Sequence, residues 1–267
     1  MRLVAIDKSI CRRDGACKAV CPIDLFVLDS EGFPVFREGA DGNCIGCGHC
    51  VAVCPNGALS HKNLPLEDSP LINHSLTVSI PALNQLLKSR RSVREFKEEP
   101  VPKVLVREAI EAARWAPSAV NRQQVHWLMI QTPAEVKHLA GLVIDYLRKS
   151  KELEPRYASF IKQWEQGKDP ILRNAPHLAV IHTPDDWIWS SVDSAIALAQ
   201  FELAAAARGI GTCWAGLLMR AANGHYPLRD ALGIPADHCV FGAMMYGFPR
   251  FRYHRIPPRK EVRVEWR

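Results

Sequence analysis

Cys44-Ile-Gly-Cys47-Gly-His-Cys50-Val-Ala-Val-Cys54-Pro55 carries the densest chemistry in the chain. Its four cysteines and closing proline form a C-x2-C-x2-C-x3-C-P run. Three thiolates at this spacing can wrap one face of an iron–sulfur cube, while the fourth, turned away by the proline, reaches a second cluster. Zinc is the rival ion. An all-cysteine zinc site, however, pairs two well-separated C-x2-C knuckles, not four thiolates in one run. Gly46 and Gly48 suit places where the backbone must approach the sulfides closely.

Upstream lies a degenerate copy, Cys11-Arg-Arg-Asp14-Gly-Ala-Cys17-Lys-Ala-Val-Cys21-Pro22, with aspartate where the second cysteine should stand. Together the two runs resemble the bacterial two-cluster ferredoxins over about residues 1–60. The resemblance implies that Cys44, Cys47, Cys50 and Cys21 hold one cluster, and Cys11, Cys17 and Cys54 the other. Asp14 is the departure. Either its carboxylate completes a four-iron cluster, or it stays solvated and the corner is left to water or to a three-iron cluster. The four-iron form is the preferred reading, and an oxygen donor on soft iron–sulfur makes that corner labile. His49, between two ligands, reads as a solvated residue or one supporting the ligands from behind, not as a ligand itself.

The rest of the composition is that of a globular protein: 267 residues, 48% apolar and 23% charged. Seven of the nine cysteines fall in the first 54 residues. A secreted disulfide scaffold would need a signal peptide, and Met1–Asp7 meets an acid too early for one. No stretch reaches the roughly 18 apolar residues of a membrane span; Ala195–Ala207 is broken by Gln200 and Glu202. The expectation is a cytoplasmic chain with no membrane partner. Residues 1–75 carry a net charge of −2 and residues 76–267 one of +8. With Pro65, Pro70 and Pro81 marking a connection, the chain divides into a domain at 1–62, a linker at 63–81 and a domain at 82–267.

Past the linker, apolar periodicity predicts a helix over Pro102–Ala116, with Val106, Ile110 and Ala113 on one face. Val125–Ile130, His177–Ile181, Gly211–Ala215 and Cys239–Tyr246 read as strands. Thr132-Pro-Ala-Glu135 is a capping box opening a helix to about Lys149. A long Ala-rich helix runs from about Ser190 to Arg208 and closes at Gly209. Glu261–Trp266 alternates like a strand. The fold class is α+β, the second domain layered around one sheet. Cys213 and Cys239 read as small buried hydrophobes. Trp187 and Trp189 suit a pocket wall or a packing anchor equally.

Several segments of the second domain suit a phosphorylated flavin. Arg90-Arg91-Ser92-Val93-Arg94 gathers guanidinium groups beside a hydroxyl, a set that grips phosphate. Ala116-Pro-Ser-Ala-Val-Asn121-Arg-Gln123 offers amide donors and acceptors to match a flavin imide edge. Gly209-Ile-Gly211 permits close backbone approach, and Gly247-Phe-Pro249 with Arg255-Ile-Pro-Pro-Arg259-Lys260 adds a second cationic cluster. In this order the segments resemble the nitroreductase family of FMN flavoproteins over about residues 82–267. Gln124 stands where many members have proline.

That resemblance implies an α+β FMN domain that forms a homodimer, with FMN at the subunit interface and the terminal segment reaching the partner. It implies that Arg90, Arg91, Ser92 and Arg94 hold the phosphate and pyrimidine edges, and Asn121 and Gln123 the ribityl and ring. Backbone at Ala215 and Gly216 would face N5, while Arg255, Arg259 and Lys260 approach the phosphate. The two resemblances together imply an oxidoreductase. Electrons would pass from an external low-potential donor, such as a ferredoxin or NAD(P)H, through two clusters to FMN. They would then reach a small organic acceptor: a nitro compound, quinone or activated alkene. No side chain stands out as a catalytic acid. The alternatives are an NAD(P)H-dependent nitroreductase and a non-catalytic electron-transfer module. Nucleic-acid binding is set aside, since the basic end has a phosphate to serve, and no Walker loop, Rossmann fingerprint or Gly-x-Ser-x-Gly occurs.

Overall fold

The computed structural model describes residues 2–149 and 155–267. Two compact units emerge: Met1–Thr77 with Ala119–Arg122, and Val78–Ser118 with Gln123–Arg267.

The first unit is built from short elements: β1 (Val4–Ile6), α1 (Ala16–Ala19), β2 (Phe26–Leu28), β3 (Pro34–Phe36), α2 (His49–Val53) and β4 (Leu59–His61). β1 pairs antiparallel with β4, and β2 with β3. Its core is small: Val4, Cys17, Phe26, Val51 and Leu59, with Phe36 edge-on to Phe26 at 5.4 Å. Gly15 (φ 71) and Gly48 (φ 73) begin the two helices in the left-handed region, at matching places in the two cysteine runs. A Cβ on Gly46 would meet nothing within 4 Å. The glycine requirement here is therefore set by positive φ, not by crowding within the chain.

The second unit contains α3 (Ile80–Ser89), α4 (Lys103–Ala113), β5 (His126–Ile130), α5 (Pro133–Lys149), α6 (Pro155–Glu165), β6 (His177–Pro184), α7 (Ser190–Ala207), β7 (Gly211–Trp214), α8 (Gly216–Gly224), α9 (Tyr226–Ala231) and β8 (His238–Gly247). The sheet order is β5-β6-β8-β7, with every neighbouring pair antiparallel. β6 and β8 are covered on both faces, which explains their unbroken apolar runs. Leu178, Val180 and Met245 pack with Leu139, Val143 and Leu218 of α5 and α8. Ala179, Ile181 and Met244 pack with Val106, Ala109, Leu198 and Phe201 of α4 and α7.

The expected caps are present. Thr132 Oγ1 accepts the Glu135 amide at 3.4 Å, and Gly209 closes α7 at φ 74. α3, by contrast, has no buried residue. On α7, Val192, Ala195, Ile196 and Ala199 form an exposed apolar stripe. Residues Glu261–Trp266 are not a strand. They run outside regular structure, with Val262 83% and Trp266 90% exposed. Alternation gives a segment two faces, but a ladder also needs an edge, and among the described residues none pairs with this one.

Candidate functional site

In the first unit the paired runs shape two recesses. One is lined by Cys21, Cys44, Cys47 and Cys50, with His49 and His61. The other is lined by Cys11, Asp14, Cys17 and Cys54. Each run thus lends its last cysteine to the other's recess. Backbone amides point at the sulfurs: Leu25 at Cys21 (3.4 Å), Ala58 at Cys54 (3.2 Å) and Arg13 at Cys11 (3.5 Å). Asp14 lines its recess while its Oδ1 accepts the Ala16 amide at 3.0 Å.

One zinc ion, about 2.3 Å from each sulfur, would draw its ligands onto a point. Among the described residues no three His, Cys, Asp or Glu side chains converge that closely. The linings of the two recesses, each with three or four cysteines, suit a four-iron cluster. Burial pushes the Cys50 thiol up to about 11 and raises Cys17 as well. Both are therefore neutral until a metal draws off the proton.

His61 was not singled out by sequence reading, which noticed only His49. It ends β4, is 4% exposed, and places Nε2 3.7 Å from Cys44 Sγ. No local spacing could mark it, because strand pairing with Val4 brings it to the recess.

In the second unit, the arginine-rich segment lies along β7. Val93 donates its amide to Thr212 O at 2.8 Å, and Ser92 bridges Thr212. Gly211 makes this possible: a Cβ there would stand 2.7 Å from Val93 Cγ2 and 2.9 Å from Pro249 Cγ. The close approach foreseen for the glycine is thus to its own chain. Arg90 pairs with Glu202, Nη1 to Oε1 at 3.0 Å, and Thr212 Oγ1 donates to the same carboxylate at 3.3 Å. Arg91 and Ser92 are half-buried and Arg94 is exposed.

Burial raises the Cys213 thiol, while the positive charges of Arg94 and Arg173 act in the opposite direction. Arg173 is thus a second cation on the same cysteine, and sequence reading missed it. It sits in a left-handed turn (φ 60) held by Asp169, which accepts the amides of Ile171, Leu172 and Asn174.

Other candidates are placed differently. The Ala215 amide is bonded to Ala243 O at 2.8 Å. Gly216 is exposed and opens α8, where the first amides have no intrahelical acceptor. Asn121 groups with the first unit, its Nδ2 donating to Ile45 O (3.1 Å) and Gly46 O (2.9 Å). Gln123 is left-handed at φ 51, its amide bonded to Ser118 Oγ at 2.9 Å. Gln124 reaches Ser190 Oγ at 3.2 Å. Arg255, Arg259 and Lys260 lie in the exposed terminal stretch. Cys213 is buried as expected and Cys239 is half-buried.

The sheet also gathers three histidines that share no helix. His182 Nδ1 and His238 Nδ1 are 2.8 Å apart, and His126 stacks on His182 at 5.2 Å. Burial, then the neighbouring His238, His126 and Arg229, holds His182 down at about 4.

The first unit carries two cysteine-lined recesses and the second a helix-covered antiparallel sheet, an α+β arrangement whose class the comparison with known proteins makes specific. The Nitroreductase family model matches residues 87–248, and a 4Fe-4S dicluster domain model matches residues 10–59. The chain belongs to the nitroreductase family. A candidate NADH dehydrogenase/NAD(P)H nitroreductase of Archaeoglobus fulgidus is 26% identical over 166 residues, 62% of this chain and 84% of the relative. A candidate NAD(P)H nitroreductase of Bacillus subtilis is 28% identical over 172 residues, 62% and 84% of the two chains. The crystal structure of a Bacteroides fragilis nitroreductase with bound FMN superposes with a TM-score of 0.58 at 22% identity, covering 68% of this chain and 98% of that one. Among the described residues no helix is long and apolar enough to cross a membrane.

Proposed function

We propose that this chain is a cytoplasmic iron–sulfur flavoenzyme. In this reading it takes single electrons from an external low-potential donor, a ferredoxin or NAD(P)H, and reduces a small organic acceptor of the nitro, quinone or activated-alkene type. The observation that carries the reading is the pair of recesses, each drawing three ligands from one run and a fourth cysteine from the other. This exchange supports two clusters, with Cys21, Cys44, Cys47 and Cys50 holding one and Cys11, Asp14, Cys17 and Cys54 the other. Bound clusters supply one-electron storage, and bound FMN supplies the conversion to two-electron chemistry.

The chain's own residues supply position and charge. Arg91, Ser92 and Arg94 form a cationic strip beside β7 suited to phosphate and to an electron-rich ring, and the charge of Arg173 acts on the same Cys213 as that of Arg94. The exposed Gly216 amide at the start of α8 suits N5 better than that of Ala215, which is already bonded. Gln123 remains a candidate for the ring. Arg90 acts indirectly, through Glu202 and Thr212, to fix the strip. Arg255, Arg259 and Lys260, on an exposed stretch that ends in Val262, Val264 and Trp266, suit a role on a second copy of the chain. The apolar stripe of α7 supports a homodimer, because an exposed patch of this kind marks an interface.

Oxygen-free purification with metal and flavin analysis tests the reading. About eight iron and eight sulfide per chain are expected, as two four-iron cubes require, with about one FMN. Turnover of a small acceptor with a chemical reductant distinguishes an enzyme from an electron-transfer module. A colourless preparation, or zinc in place of iron, overturns the proposal.

A further inference from the structure

His61 stands out once the two recesses are compared. Its ring is almost fully enclosed. A neutral imidazole has one N–H and one bare nitrogen. Nδ1 accepts the Asn63 amide at 3.2 Å, so the proton belongs to Nε2. That nitrogen faces Cys44 Sγ at 3.7 Å, within reach of a hydrogen bond to sulfur. The lining of the other recess contains no histidine and carries the Asp14 carboxylate instead.

We propose that His61 is a positioning residue that donates its Nε2–H to the Cys44 sulfur and thereby sets the two clusters at different reduction potentials. The proposal rests on the two-cluster reading above. A donor to a ligating sulfur stabilises the extra negative charge of the reduced cluster and raises its potential. The cluster held by Cys44 is therefore the easier of the two to reduce. An imidazole fixed by a backbone amide on its far side keeps this donor aimed in both redox states.

The test is a redox titration of the intact, iron-loaded protein, followed by electron paramagnetic resonance, in wild type, His61→Leu and His61→Gln. In His61→Leu one cluster signal shifts to more negative potential and the other stays in place. The shift corresponds to about a tenfold change in the oxidised-to-reduced ratio at fixed potential, or 59 mV for one electron. His61→Gln, whose amide can still donate, recovers part of it. Unchanged midpoints at full iron content overturn the role of His61 and leave the cluster reading standing. Wild-type protein without iron overturns the cluster reading, and this proposal with it. Should neither variant load iron, the contact is read in His49→Ala protein labelled with 15N-histidine. A change in the electron-spin-echo modulation of the reduced cluster supports the contact, and its absence overturns it.

Discussion

The two units solve stability differently. The second sandwiches a sheet between helices, with Leu178, Val180 and Met245 on one face and Ala179, Ile181 and Met244 on the other. The first has strands of three residues, helices of four and five residues and a handful of buried side chains. So small an apolar core rarely suffices alone, and structural metal commonly makes up the difference. The two recesses are accordingly part of how the first unit stays folded, whereas any ligand of the second joins a scaffold that already stands.

The largest expected effect tests that contrast directly. Stripping iron with a chelator under reducing conditions should open the first unit to protease within residues 2–77, while a fragment containing the β5–β8 sheet survives. Cys50→Ala should do the same in milder form. Equal resistance with and without iron would erase the distinction.

A smaller effect belongs to the body. Arg90→Leu leaves the Glu202 carboxylate enclosed with only Thr212 as donor, at a cost of about 2 kcal/mol in thermal or denaturant unfolding. Flavin content should fall less than in Arg91→Ala/Arg94→Ala, which should release it on gel filtration. Loss of flavin from Arg90→Leu with unchanged unfolding would place Arg90 on the ligand instead.

The smallest effect is in the acid limb. His182 is held at about 4 by burial and by His238, His126 and Arg229, against an ordinary value near 6.5. The unfolded chain therefore binds a proton that the folded one refuses. Stability is complete above about pH 6.5, falls as the pH drops toward 4, and levels off below. His182→Gln should flatten the fall in melting temperature across that window. An unchanged slope would assign it to other groups.

The grouping of the cysteines around two recesses was legible because their spacing is local, and the capping box at Thr132 and the enclosed strands β6 and β8 were legible for the same reason. What escaped depends on pairing across the chain. His126, His182 and His238 meet only through the sheet register. His61 meets Cys44 through β1 and β4, and the charges of Arg173 and Arg94 both act on Cys213 although the two lie far apart in sequence. Arg90 and Asn121 show the converse. Their residue types suit a ligand, and the fold in addition pairs one with a largely buried carboxylate and the other with two backbone carbonyls. Composition cannot reveal such prior commitments.

Ala119–Arg122 belongs by its neighbours to the first unit and by its peptide bonds to the second. Val120 and Asn121 sit at φ 47 and 56 there, a geometry that costs a β-branched residue on the order of 1–3 kcal/mol. Neither half can therefore be cut away cleanly. Truncation after Thr77 strips Ile45 and Gly46 of the side-chain amide that caps them, and a fragment beginning at Val78 carries the left-handed loop without those two carbonyls.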